Sequence, residues 1–586
     1  MRKFTCDFET TTDPEDCRVW AWALSEIGKP EHFIYGNELT DLMDWCSTRK
    51  DNIRLYFHNL KFDGCFIVNW LLEAGFKFIT DRKFRDSWTF TTLITDMGQW
   101  FSIEIWFEVN GKKTKKLTIY DSLKLLNFSV EEIAQAFDLP IQKLELDYET
   151  YRPIGHELLP HEVRYIRNDV EIMSRALDLF FKESKPKLTI ASSALASYKE
   201  TNPNFRTDFP ELPIEVDQDI RVSYKGGFTY LNPIYKNVIT RSGYTLDFNS
   251  LYPSILYDAE LPYQIPEPFE GKYEYDPLYP LYTQMISCKF HIKEGKIPSI
   301  QIKNTFSFMP NQYLETSDDG TGMPVTLVLT KPDLELFLEQ YDVEELEYIS
   351  GWKFKSARGL FKDYIDGWMA KKIQAKKDGN RPLYVTSKIY MNSIYGKFAT
   401  NPIGARKMPV MDEDGLVDYV TMEEEQRHSI YVALSAFVTA YGRRKTIETA
   451  QAIRDWSLKN KGYDAYVYSD TDSHHILVDE EDLPELKKFL DIDDYKLGAL
   501  KIESHFKRGK YLRQKSYIEE QDDGSMNVTI AGLPKKFSNV INFDNFRPGF
   551  HLSELPPEVL KDLGMKLNYT YVKGGVILSD TDFTIL

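Results

Sequence analysis

Cysteine is scarce in this 586-residue chain: Cys6, Cys17, Cys46, Cys65 and Cys288 make an odd count of five, with no Cys-x-x-Cys spacing. Neither a disulfide framework nor a thiolate zinc site is indicated, and a reducing compartment fits. Long apolar runs are missing, so no segment is built to cross a bilayer. The chain opens on a strand-like segment rather than a signal peptide. These absences predict a soluble intracellular protein with no membrane partner. Internal repeats and low-complexity segments are missing too. So is a surplus of positive charge: 72 Lys and Arg stand against 89 Asp and Glu, a formal net charge of −17. At first that balance argues against a nucleic-acid partner. In a multidomain chain, however, local patches decide binding.

What is present points elsewhere. The length is too great for one core and implies several domains. Hydrophobic residues make up 42% of the chain, which excludes disorder. Aromatics reach 14%, enough for large cores and for stacking on bases. Lysine and arginine cluster at Lys112, Lys113, Lys115 and Lys116; at Lys371, Lys372, Lys376 and Lys377; at Arg443, Arg444 and Lys445; and at Lys507, Arg508, Lys510, Arg513 and Lys515. Each cluster also fits an ordinary solvated face. The last is the most suggestive, with Tyr511 and Tyr517 interleaved.

Periodicity gives a coarse layout. Residues 1–185 read as an α/β unit, with strands over Lys3–Phe8 and Asn52–Phe57. An Asn110-Gly111 turn signal lies between alternating segments Phe101–Val109 and Thr114–Tyr120. Helical spacing marks His161–Lys182. Pro186 and Pro203 lie in a polar stretch read as a boundary. A strand is expected over Tyr244–Phe248, an inserted α+β piece from about Leu261 to Phe354, and helices over Leu360–Lys377, Leu383–Phe398 and about Ile430–Lys459. Residues 400–428 suggest a small inserted hairpin. A Gly574-Gly575 turn breaks strand signals near the C-terminus.

Acidic residues recur in two sets. In Tyr-Val-Tyr-Ser-Asp-Thr-Asp-Ser-His (466–474), Asp470 and Asp472 occupy the tip of an expected hairpin. Strand alternation would point them the same way. Repulsion between them calls for a cation, and hard oxygen ligands suit Mg²⁺ at phosphate chemistry. A solvated acidic turn fits the same residues. Asp247 ends the strand before Phe248-Asn249-Ser250-Leu251-Tyr252-Pro253-Ser254, where it could equally cap a helix. Lys388, Asn392 and Tyr395 fall at i, i+4 and i+7 on one helix, a stripe able to meet a triphosphate and a base pair, or simply solvent. Lys515-Ser516-Tyr517 could hold a primer phosphate. Tyr224-Lys225-Gly226-Gly227 could admit a template backbone or be a plain glycine turn. The other set is Asp7 and Glu9 on one strand, Asp63 in Asn59-x-x-Phe62-Asp63, and Tyr165 with Asp169 four apart on a helix. Such a set can converge on two divalent ions that cleave a phosphodiester.

Taken together, these motifs resemble the protein-primed family B DNA polymerases of small tailed phages, from Asp7 to the C-terminus. The resemblance implies a multidomain α/β and α+β fold: a ribonuclease H-like exonuclease domain, then a right-hand polymerase with two insertions. Its expected divisions are an exonuclease domain (1–186), palm (187–258), an insertion contacting the terminal protein (259–357), fingers (358–399), a processivity and strand-displacement insertion (400–432), the second part of the palm (433–530) and thumb (531–586). Asp7, Glu9, Asp63 and Asp169 are implied as exonuclease metal ligands, Tyr165 as orienting the water and Lys143 as an auxiliary catalytic lysine. Thr10, Asn59, Phe62, Ser122 and Leu123 would hold the single-stranded 3′ end. In the polymerase site Asp247 and Asp472 would bind the metals, supported by Asp470. Lys388 would contact the triphosphate, Tyr252 would exclude a 2′-hydroxyl, and Asn392 and Tyr395 would border the base pair. Tyr224, Gly226, Gly227, Lys515 and Tyr517 would contact DNA. The implied partners are primer-template and single-stranded DNA, dNTPs and a terminal protein that primes. Two Mg²⁺ are implied in each site, with Mn²⁺ able to substitute. A monomer in the cytoplasm of an infected host cell is implied. His474 and His475 follow the Asp-Thr-Asp-Ser turn where relatives carry a more apolar residue. Alternation sends them to opposite faces, which favours a structural role over a ligand pair.

Overall fold

The computed structural model describes residues 1–586 except 112, 149, 303–311 and 319. Lys112 of the first basic cluster and part of segment 259–357 therefore lie outside the described residues.

The N-terminal unit is built on an eight-stranded sheet in the order Lys29–Gly36, Val19–Glu26, Arg2–Thr10, Ile53–Phe57, Lys113–Asp121, Trp100–Asn110, Thr89–Ile94, Lys77–Phe78. Arg2–Thr10, Ile53–Phe57 and Lys113–Asp121 run parallel at its centre. The hairpin expected at Asn110-Gly111 forms. Val19–Glu26 and Lys29–Gly36 carried no readable signal. Every residue of Val19–Glu26 is buried, so it lacks the alternation of a half-exposed strand. Helix Pro160–Glu183 begins with Pro160 in its first turn. The Thr5 hydroxyl donates to the Val170 carbonyl at 2.7 Å, pinning this helix to the sheet.

The polar stretch between Pro186 and Pro203 is not a bare linker. It holds helix Ile190–Thr201, capped by the Thr189 hydroxyl, which accepts from the Ser192 amide at 3.1 Å. Its Ser and Ala residues hid the apolar face. Buried Tyr198 stacks on Phe361 at 4.2 Å and locks this helix to the next unit.

A second sheet carries the remaining acidic motifs. Its order is Met526–Ile530, Ser516–Gln521, Leu500–Arg513, Gly243–Phe248, Ser473–Ile476, Tyr466–Asp470, Thr229–Leu231. Helix Val432–Lys461 packs behind it and is buried on every face from Val432 to Ala440. Helices Lys362–Asp378 and Arg381–Phe398 form an antiparallel pair turned by Gly379 at φ +66°. The described part of segment 259–357 contains a four-stranded antiparallel sheet and helix Lys331–Gln340. Residues 400–428 include the hairpin Lys407–Met411 with Val417–Thr421. The C-terminal hairpin Lys566–Val572 with Gly575–Thr581 returns to the N-terminal unit. There Val417, Tyr419 and Val576 join its core, and Tyr419 meets Trp100 at 5.1 Å and Tyr571 at 5.4 Å. Among the described residues, no helix is long and apolar enough to cross a membrane.

Two of the basic clusters are largely consumed inside the chain. Arg443 is 3% exposed, forks onto Asp333 at 2.7–3.2 Å and donates to the Lys225 and Gly226 carbonyls. Arg444 pairs with Glu335, Glu339 and Glu448, and Lys445 donates to the Gly498 carbonyl. In the last cluster, Arg508 pairs with Glu520, while Lys510 and Arg513 donate to backbone carbonyls. Arg443→Ala removes the counter-charge of Asp333 in a partly buried site and one donor to each of two backbone carbonyls. A loss of about 3 kcal/mol is expected, read as a fall in the thermal unfolding midpoint.

Candidate active sites

In the N-terminal unit, Asp7 and Glu9 project from the central strand Arg2–Thr10. Asp63 comes from helix Leu60–Glu73, while Tyr165 and Asp169 come from helix Pro160–Glu183. Glu9, Asp63 and Asp169 are each at most 5% exposed. Burial first, then the Asp169 charge, pushes the Asp7 carboxyl up to about 7. Burial and the Asp7 charge likewise raise Glu9 and Asp63 far above the carboxylate range. Each of these acids has another acid as a neighbour, an arrangement that favours bound positive charge. One cation is already there: Lys143 Nζ lies 3.3 Å from Asp169 Oδ2. Burial works against that ammonium, but the Asp169 and Asp7 charges outweigh it and its pKa is raised. The other Asp169 oxygen is buried without a hydrogen-bond partner.

Around these acids the sequence-derived binding residues are arranged unequally. Asn59 sits at φ +78° before its helix, and its side-chain Nδ2 donates to the Tyr569 hydroxyl at 2.9 Å. The Phe62 ring lies 6.2 Å from Tyr569. Thr10 ends its strand opposite Val19. Ser122 is 1% exposed, and its hydroxyl donates to the Phe57 carbonyl at 2.9 Å, so its side chain shapes the loop from beneath. The Leu123 amide donates to Asp121 at 3.0 Å. Tyr165 meets the Tyr148 hydroxyl at 2.7 Å. Tyr148 and Tyr569 escaped the sequence reading. No local motif marks either, and Tyr569 is 510 residues from its partner.

The second set is organised by backbone hydrogen bonds. Strand Gly243–Phe248 lies between Ser473–Ile476 and Leu500–Arg513, with Asp247 opposite Ser473 and Lys501. The Phe248 amide donates to the Asp472 carbonyl at 2.8 Å, fixing the two acids side by side. Asp470 and Asp472 converge for a different reason from alternation. Asp470 ends its strand, Thr471 turns left-handed at φ +64°, and Asp472 belongs to the turn. Burial, then the charges of Asp247 and Asp470, raises Asp472 to about 6. Lysines again stand in for cations: Lys501 Nζ is 3.1 Å from Asp247 and Lys515 Nζ is 3.1 Å from Asp470. The alternative that Asp247 caps the following helix is excluded, since Ser250 occupies that position.

The wall of this site is aromatic. Tyr252 and Tyr395 pack with ring centres 4.3 Å apart, and a Cβ at Gly442 would lie 2.9 Å from the Tyr252 ring. Lys388 and Asn392 are exposed on one face of helix Arg381–Phe398. Burial and the charges of Lys388 and Lys501 lower the Lys372 pKa, so these three lysines share one positive region. Tyr224 is half-buried, and its neighbours Lys225 and Gly226 are held by Arg443. Tyr517 is packed at 5.5 Å from Tyr468 and 4.9 Å from His475. A Cβ at Gly227 would fall 2.7 Å from Thr471 Oγ1 and 3.0 Å from the Tyr252 hydroxyl. Gly227→Ala must therefore push aside the Thr471 side chain in the acidic turn and crowd Tyr252. Activity at this site is expected to fall about tenfold, measured against unchanged activity at the N-terminal site.

Among the described residues, no three His, Cys, Asp or Glu side chains are drawn into a finished ligand cage. The donor chemistry nevertheless fits a hard divalent ion: all-oxygen donors, mutually raised acids, an orphaned Asp169 oxygen, and lysines on the carboxylates.

Comparisons with known proteins agree with this layout. The sequence profile of the family described as DNA polymerase type B, organellar and viral, matches residues 45–483. The DNA polymerase of Bacillus phage Nf is 42% identical over 603 aligned residues, covering 100% of this chain and 99% of that protein. The DNA polymerase of Streptococcus phage Cp-1 is 30% identical, covering 99% and 98%. The structure of the phi29 DNA polymerase with primer-template DNA superimposes with a TM-score of 0.90 at 39% identity, covering 100% of both chains. Its complex with single-stranded DNA gives 0.89 at the same identity and coverage. The fold is thus that of a multidomain α/β protein with an exonuclease domain and a polymerase domain, and the chain belongs to the type B DNA polymerases, among the phi29-like phage enzymes.

Proposed function

We propose that this DNA polymerase extends a primer on a DNA template and corrects its own errors with a separate 3′→5′ exonuclease. The observation that carries this reading is the pair of carboxylate sets, each on its own sheet and each with its own lysine counter-charge. Residues 1–186 form the exonuclease unit, 187–258 and 433–530 the palm, 358–399 the fingers and 531–586 the thumb. Segment 400–432 is the insertion for processivity and strand displacement.

In synthesis, the primer 3′-hydroxyl attacks the α-phosphorus of a dNTP and pyrophosphate leaves. Asp247 and Asp472 would hold two Mg²⁺, with Asp470 supporting them and Mn²⁺ able to substitute. Bound metal supplies a lowered pKa at the attacking oxygen and charge neutralisation at the leaving one. Lys388, with Lys372 beside it, meets the triphosphate charge, and Asn392 and Tyr395 border the base pair. Tyr252, wedged between Tyr395 and Gly442, leaves no room for a 2′-hydroxyl. Lys515 and Tyr517 hold the primer strand, while Tyr224, Gly226 and Gly227 face the template. In proofreading, water attacks the terminal phosphodiester. Asp7, Glu9, Asp63 and Asp169 would hold that site's two metals, Tyr165 orients the water, and Lys143 offsets charge on the phosphate. Thr10, Asn59, Phe62, Ser122 and Leu123 form the seat of the frayed 3′ end. The phi29 enzyme has been captured with primer-template, single-stranded DNA and incoming nucleotide, the same ligands proposed for this chain.

Protein priming follows from whole-chain likeness to the protein-primed polymerases of small tailed phages, with segment 259–357 as the surface for a terminal protein. The enzyme works as a monomer in the cytoplasm of an infected host cell. The test is a primed template carrying a mismatched 3′ nucleotide. With Mg²⁺ and dNTPs, removal of the mismatch followed by extension supports the reading. Extension without removal, or removal without extension, contradicts it.

A further inference from the structure

Below the acidic turn lies a buried histidine–glutamate pair with no part in the chemistry above. His475 Nδ1 is 2.6 Å from Glu519 Oε1, and their side chains are 2% and 0% exposed. Glu519 is fully engaged. The Tyr511 hydroxyl donates to the same oxygen at 2.7 Å, and Asn527 Nδ2 donates to the other at 3.3 Å. The two residues sit on strands that are not neighbours, because Gly243–Phe248 and Leu500–Arg513 lie between them. Leu500–Arg513 pairs with Gly243–Phe248 through its first half and with Ser516–Gln521 through its second. The sheet curls there, and the side-chain bridge closes the curl where no backbone ladder can.

What the bridge joins is specific. His475 belongs to the hairpin that carries Asp470 and Asp472. Glu519 belongs to the hairpin whose turn carries Lys515, left-handed at φ +56°. Between bridge and turn stand Tyr468 and Tyr517, with rings 5.2 Å and 4.9 Å from the imidazole. The Lys515 amide donates to the Tyr468 hydroxyl at 2.9 Å, and Lys515 Nζ reaches both Asp470 oxygens at 3.1 and 3.2 Å. A buried polar network is a weak source of stability compared with apolar packing, but a fully satisfied one accepts a single geometry.

We propose that Glu519 and His475 are positioning residues for synthesis, locking the Lys515 turn over the acidic turn so that Lys515 meets the primer phosphate at a fixed spacing. This rests on the reading of Lys515 as a primer contact. Neither residue touches substrate.

The experiment uses the full chain and three variants: Glu519→Gln, Lys515→Ala and the two combined. Primer-template affinity is measured by fluorescence anisotropy, alongside kcat and single-strand digestion. Glu519→Gln keeps the shape and removes the charge. It is expected to weaken primer-template binding about tenfold, with kcat at saturating DNA changed less than about twofold and digestion unchanged. Because both act through one contact, the combined variant binds no more weakly than Lys515→Ala alone. Parental affinity in Glu519→Gln, or losses that multiply in the combined variant, would overturn the proposal. Parental affinity in Lys515→Ala would overturn the Lys515 assignment, and this proposal with it. Should Glu519→Gln not fold, Tyr511→Phe removes one donor to Glu519 and is read the same way, with an expected loss of about threefold.

Discussion

Asp470→Ala combined with Asp472→Ala is expected to abolish primer extension while leaving single-strand digestion at the parental rate. The polymerase carboxylates supply charge where the attacking and leaving oxygens react. Losing about 4 kcal/mol of transition-state stabilisation lowers the rate about a thousandfold. Folding should survive. Asp472 is held against burial and the Asp247 charge, so its removal relieves repulsion. Lys515 loses its pairing with Asp470, but that ammonium is 57% exposed and returns to water easily. Extension is read on a primed template, and digestion on a labelled single strand. Equal loss of both activities in a folded variant would mean that the two sets serve one site.

The reciprocal pair, Asp7→Ala with Glu9→Ala, is expected to lose digestion by about a thousandfold and keep extension. Here too the native site carries repulsion among Asp7, Glu9, Asp63 and Asp169 that Lys143 only partly offsets, so the variant should melt no lower than the parent. Its products should retain mismatched ends that the parent removes. Unchanged digestion would show that the N-terminal acids are structural.

These expectations come from motifs that short-range sequence displays well. Asn110-Gly111 announced its hairpin through turn chemistry, and helix Pro160–Glu183 through its apolar stripe. The acids themselves stood in recognisable order. Elements whose surroundings remove the usual contrast escaped: Val19–Glu26 is buried on both faces, and helix Ile190–Thr201 buries small polar residues. Alternation was the wrong reason for the Asp470–Asp472 pair, because Thr471 reverses the chain. His474 and His475 are both buried, the first meeting Ser469 at 2.8 Å and the second Glu519. Contacts made across hundreds of residues left no trace. Arg443 with Asp333, Lys501 with Asp247 and Tyr569 with Asn59 exist only once the sheets are assembled. The clusters at 443–445 and 507–515 were ambiguous for the same reason, since charge density along a chain does not say whether the charges face solvent or one another.

Anomalous scattering from a crystal soaked in Mn²⁺ reaches the chemistry most directly. Density is expected in two places: beside Asp247 and Asp472, and among Asp7, Glu9, Asp63 and Asp169, with the Lys143 and Lys501 ammonium groups displaced from their carboxylates. Bound manganese at only one set, or at neither, would contradict a polymerase that synthesises and proofreads at two metal centres.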